Sequence, residues 1–465
     1  MRFPTAARFR TSVRSIAAPA VVLVLSGCSL IRSTIGAYET GPNGIARPQY
    51  ELREALVRAD FATALGWQED DALLRALGTG ASSYYASQFA RSVAVLDSAA
   101  LLADDRITNS VSANAVALVS NDLARPYQAR RTERLFISYY AMLGYARLEQ
   151  WEDAAVEARR LSALLAQYAA DRSDTERATH ATLHYLTGVV FERAGEKADA
   201  LVAYRLARAL LPEQVDSLHA RPGRNEGEIL VVLERGFVAH RATETISVFL
   251  GDDDDRRRGR RADDHESSDL AKMASRIAVA GSDKEKAPVA TPRKHRDDDD
   301  DGYWLRIAFP SVRRGPHVRG EASVVVDGVT ARSASVGTLV DDAVSADEGR
   351  ERTAVLARAT ARAAAKYAVT KAVRDGKGDV AGSIANIGAS LMERADVRSW
   401  HLLPQTVTLL RLRVPAGQRQ VQVDVGKGVQ RLDLGEVAVR PGEVTIAAIR
   451  LWKENAETGL LAVIK

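Results

Sequence analysis

The chain of 465 residues has 64 Lys and Arg against 60 Asp and Glu, 46% hydrophobic residues and a single Cys. This length allows two to four domains with their own cores. One thiol excludes both a disulfide framework and a zinc site built from several cysteines of one chain. The excess positive charge lies within residues 1–27, which contain Arg but no acidic residue, so the rest is formally neutral. The basic balance therefore gives no reason to expect nucleic-acid binding.

The N-terminus has the pattern of a secretory signal. Its basic start is followed by an apolar run, Ile16–Leu25, which is shorter than the roughly 20 residues of a membrane-spanning helix. The run ends in Leu-Ser-Gly-Cys28, which resembles a bacterial lipoprotein box. That resemblance implies cleavage before Cys28, lipid on its thiol and on the new amino terminus, and, with Ser29 next, sorting to the outer membrane. We expect a lipoprotein signal peptide over residues 1–27 and a flexible tether over residues 28–48.

Residues 49–215 have apolar side chains at helical spacing and few prolines, which predicts helices throughout. Three stretches follow the tetratricopeptide (TPR) pattern, in which small side chains let two antiparallel helices approach and larger ones fill the gap. The first unit has Gly188, Phe191, Ala200, Tyr204, Ala207 and Pro212, the second has Gly80, Ser92, Leu96 and Ala99, and the third has Tyr145, Trp151, Ala154 and Ala158. Because matching positions are separated by more than the ~34 residues of a tandem array, we expect an interrupted TPR-like α-solenoid.

These TPR residues indicate helix packing rather than chemistry. Stacked helix pairs form a concave surface that usually binds a peptide or protein. We therefore expect this surface to recruit an envelope protein; the alternative is that the helices only support the second half of the chain.

His180 and His184 lie one helical turn apart and could share a metal ion. The residues between them lack the Glu of a zincin, and no third ligand is apparent. We expect surface or helix-interface histidines, and no metal site.

The second half, residues 216–250 and 302–465, is predicted to be an α+β domain, because β-branched runs bounded by Gly replace the helical spacing. Residues 251–301 interrupt it with runs of Asp and Arg that have almost nothing apolar to bury, so we expect a disordered, charged insertion. Strands are expected at 228–234, 245–250, 303–309, 322–327, 407–414, 421–425, 437–439 and 444–452. The last four are expected to form a small antiparallel β sandwich or meander.

Between these strands, residues 349–373 predict an Ala-rich helix with a basic stripe of Arg358, Arg362 and Lys366. The stripe could contact lipid headgroups or an acidic partner, although a solvated face is the more common explanation. Residues 381–392 are rich in small side chains and are expected to pack closely on a neighbour.

Two motifs of common enzyme classes are absent from the sequence. It has neither a phosphate-binding loop of the Gly-x4-Gly-Lys-Ser/Thr type nor a Gly-x-Ser-x-Gly nucleophile elbow. Lipidation of Cys28 would leave no cysteine nucleophile. We expect a protein that is not an enzyme and has no cofactor. The less favoured alternative is an envelope hydrolase whose paired carboxylates are distant in sequence.

Three segments carry a resemblance that covers the mature chain. They are Glu133–Tyr145 continuing to Glu157–Arg160, then Gly227–Gly236, and then Ala395–Trp400 followed by Leu403-Pro404. In these segments the chain resembles a family of poorly characterised bacterial TPR-type outer-membrane lipoproteins. The resemblance implies an accessory lipoprotein of the kind that accompanies activators of peptidoglycan synthases or other outer-membrane machinery.

The last of these segments contains a motif of Asp396, Arg398, Trp400 and Pro404. Asp396 and Arg398 are two residues apart, so on a strand or extended turn they face one side and can pair or bind backbone groups. Trp400 is expected to share that face and to pack beneath them. We expect a structural corner, with a ligand-binding or partner-binding spot as the alternative.

Together these features predict a non-enzymatic scaffold or adaptor for an envelope protein complex, with a link to peptidoglycan synthesis. We expect it to be lipid-anchored in the outer membrane, to face the periplasm, and to bind no nucleic acid. The alternative from another class is a structural subunit of a secretion or polymer-export assembly.

Overall fold

The computed structural model describes residues 45–108, 125–216, 223–250, 303–316, 321–331, 334–377, 395–426, 430–453 and 463–464. These residues form a mixture of helices and strands, which confirms the predicted α+β class. Cys28, the signal peptide, most of the tether, the charged insertion and the segment 381–392 lie outside the described residues.

The described residues of the N-terminal half are mostly helical, as predicted. Its elements are α1 (Arg47–Val57), α2 (Phe61–Leu65), α3 (Ala72–Tyr85), α4 (Phe89–Thr108), α5 (Arg131–Arg147), α6 (Trp151–Tyr168), a 3₁₀ turn (Asp174–Glu176), α7 (Arg177–Arg193), α8 (Lys197–Leu210) and α9 (Pro212–Asp216). Short turns fold α3 onto α4, α5 onto α6 and α7 onto α8, and these hairpins pack in chain order, α4 against α5 and α6 against α7. We call α3, α5 and α7 the first helices and α4, α6 and α8 the second helices.

Small residues let the two helices of a hairpin approach each other. A Cβ atom added to Gly188 of α7 would lie 2.6 Å from the Tyr204 ring of α8. A Cβ atom added to Gly80 of α3 would lie 2.6 Å from Leu96 of α4. At both positions only glycine leaves room for the large partner, which is the small–large pairing that the sequence suggested.

Strands and one long helix make up the rest of the described chain. They are β1 (Glu226–Arg235), β2 (His240–Leu250), β3 (Tyr303–Arg313), β4 (Ala322–Val326), β5 (Val329–Ala331), β6 (Ala334–Leu339), α10 (Val340–Lys377), β7 (Thr406–Pro415), β8 (Gly417–Val425), β9 (Gln430–Val439), β10 (Val444–Leu451) and β11 (Val463–Ile464). They form a five-stranded sheet in the order β11–β10–β1–β7–β6, a four-stranded sheet β5–β4–β8–β9, and the hairpin β2–β3.

The expectation that the last four strands form one small antiparallel sandwich or meander is correct only for β8 and β9, which pair antiparallel. β7 pairs antiparallel with β1, β10 pairs with β1 in parallel, and β8 and β9 belong to the other sheet with β4 and β5. The physical reason lies in β1, whose apolar run Ile229–Leu233 is buried on both faces. Such a strand is stable only in the middle of a covered sheet, so it separates strands that are neighbours in sequence.

β1 shows how three layers are held together. Ile229, Val231 and Leu233 face the four-stranded sheet, whereas Leu230 and Val232 belong to the core shared with the helices. This alternation follows from the two-residue period of a strand. The five-stranded sheet therefore lies between the helical hairpins on one side and the four-stranded sheet on the other, and the helical core continues into the sheet.

Candidate functional site

The sheet face beneath the helices carries four buried charges. They are Glu228 and Glu234 on β1, Arg411 on β7 and Arg450 on β10. Each lies an even number of residues from an apolar side chain of the helix–sheet core, such as Leu230, Leu409 or Ala448, and therefore faces the helices. Burial of these charges requires partners. The charges pair with one another, Arg411 with Glu228 and Arg450 with Glu234, and the first helices add further hydrogen bonds.

Glu234 accepts hydrogen bonds from two tyrosines of the helical layer. Tyr85 of α3 donates at 2.9 Å and Tyr139 of α5 donates at 2.8 Å. The guanidinium of Arg450 lies 3.4 Å from the same carboxylate and 4.6 Å from the centre of the Trp452 ring. Burial raises the pKa of both tyrosines well above the ordinary value, so their hydroxyls remain protonated donors.

Arg411 forms the equivalent cluster beneath the third hairpin. It pairs with Glu228 at 2.5 Å and with Glu192 at 3.3 Å, and it donates to the Tyr185 hydroxyl of α7 at 2.9 Å. Every first helix thus places a tyrosine hydroxyl on a charged residue of the sheet. Within each cluster the polar groups hydrogen-bond one another and link the helical layer to the sheet, which indicates a structural role.

One side of the helical layer is covered by the chain itself and is not open to a partner protein. The first helices pack against the chain's own sheet and the segment before β7: Tyr85 meets Trp452 at 4.7 Å between ring centres, and Tyr140 meets Trp400 at 5.8 Å. A partner protein would therefore meet the second helices, which form the other side of the helical layer.

Most residues predicted for TPR packing are buried in the hairpins, namely Gly80, Ala99, Ala154, Gly188, Phe191, Ala200, Tyr204 and Ala207. Tyr145 is half-buried and donates a 2.6 Å hydrogen bond to Asp97. Trp151 is half-buried and stacks against the Arg193 guanidinium, beside a cavity of about 310 Å³ between the second hairpin and the β9–β10 turn. Pro212 is exposed and begins α9.

His180 and His184 are both buried within the helical layer. Burial lowers the pKa of each imidazole to about 4, so both are neutral near pH 7. Among the described residues, no group of three or more His, Cys, Asp or Glu could hold a metal ion.

In the motif segment, Asp396 and Arg398 form the pair that their spacing suggested. Two nitrogens of Arg398 donate to the two carboxylate oxygens of Asp396 at 2.9 and 2.8 Å, and one also donates to the carbonyl oxygen of Arg125 at 2.9 Å. The two arginine residues thus connect segments that are far apart in sequence. The ring near the Arg398 guanidinium is Tyr127, at 5.9 Å.

Trp400 does not pack beneath this pair, contrary to expectation. Its ring packs on Tyr140 of α5, and its backbone N–H donates to Glu133 at 2.8 Å. Residues 395–400 form no regular strand, so Trp400 does not continue the side on which Asp396 and Arg398 pair. Pro404 is also buried, next to Leu403, whose carbonyl accepts from the Val238 N–H.

A cavity of about 210 Å³ lies beside Asp396, where four segments of the chain meet. We call it the arginine pocket and define it by its charged lining: Arg125, Arg130, Arg241, Glu351, Arg358 and Asp396. Arg358 belongs to the basic stripe expected on the long helix; the side chains of Arg362 and Lys366 lie outside the described residues. The pocket was not predictable from residue spacing, because its lining comes from segments that are distant in sequence.

Ion pairs hold the inner guanidiniums of the arginine pocket. Glu351 lies 3.3 Å from Arg130 and 3.0 Å from Arg241, and Glu348 accepts from Arg241 at 2.7 Å. Burial raises the pKa of Glu351, but the charges of Arg130 and Arg241 outweigh it and hold this pKa below its ordinary value. Both pocket carboxylates, Glu351 and Asp396, are thus ionised partners of arginines.

Comparison of the chain with protein families gives no match. Comparison with curated proteins likewise gives no match. Within the described ranges, no helix combines the length and the apolar character that crossing a membrane requires.

Proposed function

We propose that the protein is a non-enzymatic scaffold lipoprotein, anchored in the outer membrane through lipid on Cys28, that holds an envelope protein complex with its helical layer. The three stacked hairpins and their small–large pairs at Gly80 and Gly188 support a TPR-like array. Arrays of this kind bind proteins on an extended surface. The link to peptidoglycan synthesis is part of this proposal and is supported by the family resemblance.

The observation that carries the proposal is an apolar patch on α8. Leu201, Val202 and Leu206 lie within two turns of this helix, with Val202 and Leu206 one turn apart, and they are 56%, 52% and 45% exposed. The other second helices also expose large apolar side chains, Leu101 on α4 and Val156 on α6. Neighbouring exposed apolar residues mark interaction sites on soluble surfaces more often than scattered ones do.

The arginine pocket gives no support to the hydrolase alternative. General acid–base catalysis by two carboxylates needs one group that holds a proton near neutral pH. Arginines lower the pKa of both Glu351 and Asp396, against the effect of burial. A binding role suits these ionised, paired groups better than proton transfer does.

The anchor is tested by membrane fractionation of cells that express the natural chain or Cys28→Ala. We expect the natural chain in the outer-membrane fraction and the substituted chain in the soluble fraction. Firm membrane association of Cys28→Ala would contradict the lipid anchor.

The scaffold role is tested by crosslinking intact cells, followed by affinity capture and mass spectrometry. We expect the natural chain to enrich the members of one envelope complex, and the Leu201→Glu/Leu206→Glu variant to lose them. Val329→Glu is the matched control, because Val329 is another exposed apolar residue, 70% exposed on the β4–β5 hairpin. Equal capture by all three proteins would contradict the α8 patch. Large stoichiometric complexes on native gels would instead favour a structural subunit of an export assembly.

A further inference from the structure

We propose that the arginine pocket binds an oxyanion, namely a carboxylate or phosphate group carried by a small ligand with an apolar part. This inference rests on the geometry of the pocket and does not depend on the scaffold function.

The charged lining of the pocket favours an anion. Four guanidiniums face the cavity, those of Arg125, Arg130, Arg241 and Arg358, against the carboxylates of Glu351 and Asp396. Both oxygens of Asp396 already accept from Arg398, which is not part of the lining. Glu351 and, behind Arg241, Glu348 are therefore the carboxylates that oppose these four positive charges. An oxyanion of one or two negative charges would balance the remainder.

Two of the four guanidiniums are held in place from behind. The Arg130 side chain is 11% exposed, and besides Glu351 it donates to the carbonyl oxygen of Arg398 at 3.4 Å. The Arg241 side chain is 5% exposed and donates to the carbonyl oxygen of Asp396 at 3.3 Å. Arginines fixed in this way lose little side-chain entropy when they bind a ligand.

Arg125 and Arg358 complete the pocket from two other segments. The backbone of Arg125 is fixed by the hydrogen bond from Arg398 to its carbonyl oxygen, and its side chain is half-buried. Arg358 lies two helical turns after Glu351 on α10 and is also half-buried. Because the guanidinium group is planar and has several donors, such residues suit the paired oxygens of carboxylate and phosphate groups.

Part of the remaining wall is apolar, and Gln128 adds a polar side chain to it. Pro126, Pro310 and Val355 line it together with Ala354 of α10. A cavity of about 210 Å³ with this wall has room for more than a simple inorganic ion. The chemistry therefore favours a small organic molecule whose acidic group meets the arginines and whose apolar part meets the prolines and Val355.

The test is calorimetric titration of the full-length protein in detergent with sodium phosphate and, separately, with citrate, at constant ionic strength. We expect saturable binding of at least one of the two anions with one site per chain. Arg125→Gln and Arg358→Gln should each weaken it at least about tenfold, the effect of losing one charge-assisted hydrogen-bonding group. Binding of phosphate alone would assign a phosphorylated ligand, binding of citrate alone a carboxylate ligand, and either would support the site.

A matched control and a second type of variant distinguish binding in the pocket from a general effect of charge or folding. Arg352→Gln removes an exposed arginine of the same helix outside the pocket lining and should leave the affinity unchanged. Ala354→Glu adds a carboxylate to the lining at an exposed position without removing any arginine, and it should abolish binding. The proposal is overturned if neither anion saturates, if Arg352→Gln weakens binding as much as Arg125→Gln does, or if Ala354→Glu binds like the natural chain.

Discussion

Tyr139 of α5 donates a 2.8 Å hydrogen bond to Glu234 of β1 across the boundary between the helical layer and the sheet. The same carboxylate accepts from Tyr85 and faces Arg450, whose side chain has no exposed surface. A buried carboxylate is unfavourable unless it is paired and hydrogen-bonded, and here the three partners come from both layers. Glu234 therefore fixes how the hairpins sit on the sheet.

The first prediction concerns this carboxylate. Glu234→Ala should lower the free energy of unfolding by about 3–5 kcal/mol, because it leaves the buried Arg450 without its carboxylate. Tyr139→Phe removes one hydrogen bond and should cost less, about 1–3 kcal/mol. Urea denaturation followed by circular dichroism measures both values. Glu244→Ala, at an exposed position of β2, is the control; a Glu234→Ala value no larger than that of the control would contradict the buried network.

A second prediction compares two helical glycines. Gly188→Ala should destabilise the protein by about 1–3 kcal/mol, because the added methyl group would lie 2.6 Å from the Tyr204 ring and force the hairpin apart. Gly349→Ala is the matched control, since a Cβ atom there would have nothing within 4 Å. Alanine should stabilise that position of α10 by about 0.5–1 kcal/mol through its higher helix propensity. Thermal unfolding should therefore give shifts of opposite sign, and shifts of the same sign would contradict the close packing at Gly188.

The third prediction concerns the loss of stability at acidic pH. Burial lowers the pKa of His180 and His184 to about 4, well below the ordinary value of 6.5 for a histidine. The unfolded chain therefore binds protons that the folded chain does not bind as the pH falls from 6.5 towards 4, and stability is lost in that window. The full shift at one histidine corresponds to about 3 kcal/mol.

Asp347 acts in the opposite direction within the same window. Burial raises the pKa of this carboxyl group to about 6, so the folded chain binds its proton more tightly than the unfolded chain does and gains stability as the pH falls. The measurement that separates the two effects compares His184→Gln with the natural chain. The urea midpoint of the variant should fall less between pH 7 and pH 4.5, and equal falls would contradict a neutral, buried His184.

Periodicity in the sequence predicted α10 only in part. The predicted helix begins at residue 349, whereas α10 begins at Val340. The turns that were not predicted contain two buried residues, Asp341 and Asp347. Their carboxylates accept hydrogen bonds from the backbone N–H groups of Ala239 and Thr132, which compensate for the burial. A pattern of apolar spacing assigns every polar residue to the surface, even one that a partner distant in sequence satisfies in the interior. The first turns of the helix could therefore not be recognised.

Only one contact beside the arginine pocket could be predicted from the sequence. Asp396 and Arg398 are close in sequence, so their pairing followed from spacing alone. Arg130, Arg241 and Glu351 meet only because the hairpins, the β2–β3 hairpin and α10 pack together. Their positions in the sequence follow no local period. Each residue taken alone is typical of a charged side chain on the surface.

The last prediction tests whether burial gives the motif pair its strength. Arg398 and Arg431 each make two hydrogen bonds to one aspartate, Asp396 and Asp424, but the Arg398 side chain is 7% exposed and that of Arg431 is 55% exposed. Lysine keeps the charge but cannot reproduce the fork of donors. In Arg398→Lys a buried acceptor, either an Asp396 oxygen or the Arg125 carbonyl, would lose its donor.

We therefore expect Arg398→Lys to lower the free energy of unfolding by about 1–3 kcal/mol, the cost of one unsatisfied buried polar group. Arg431→Lys should change it by less than about 0.5 kcal/mol, because solvent replaces the lost contact at an exposed pair. Urea denaturation of both variants at one ionic strength gives the comparison. If the two values were equal, then burial would not distinguish the two pairs, and the motif at Asp396 would have to matter through a bound ligand or partner instead of through folding.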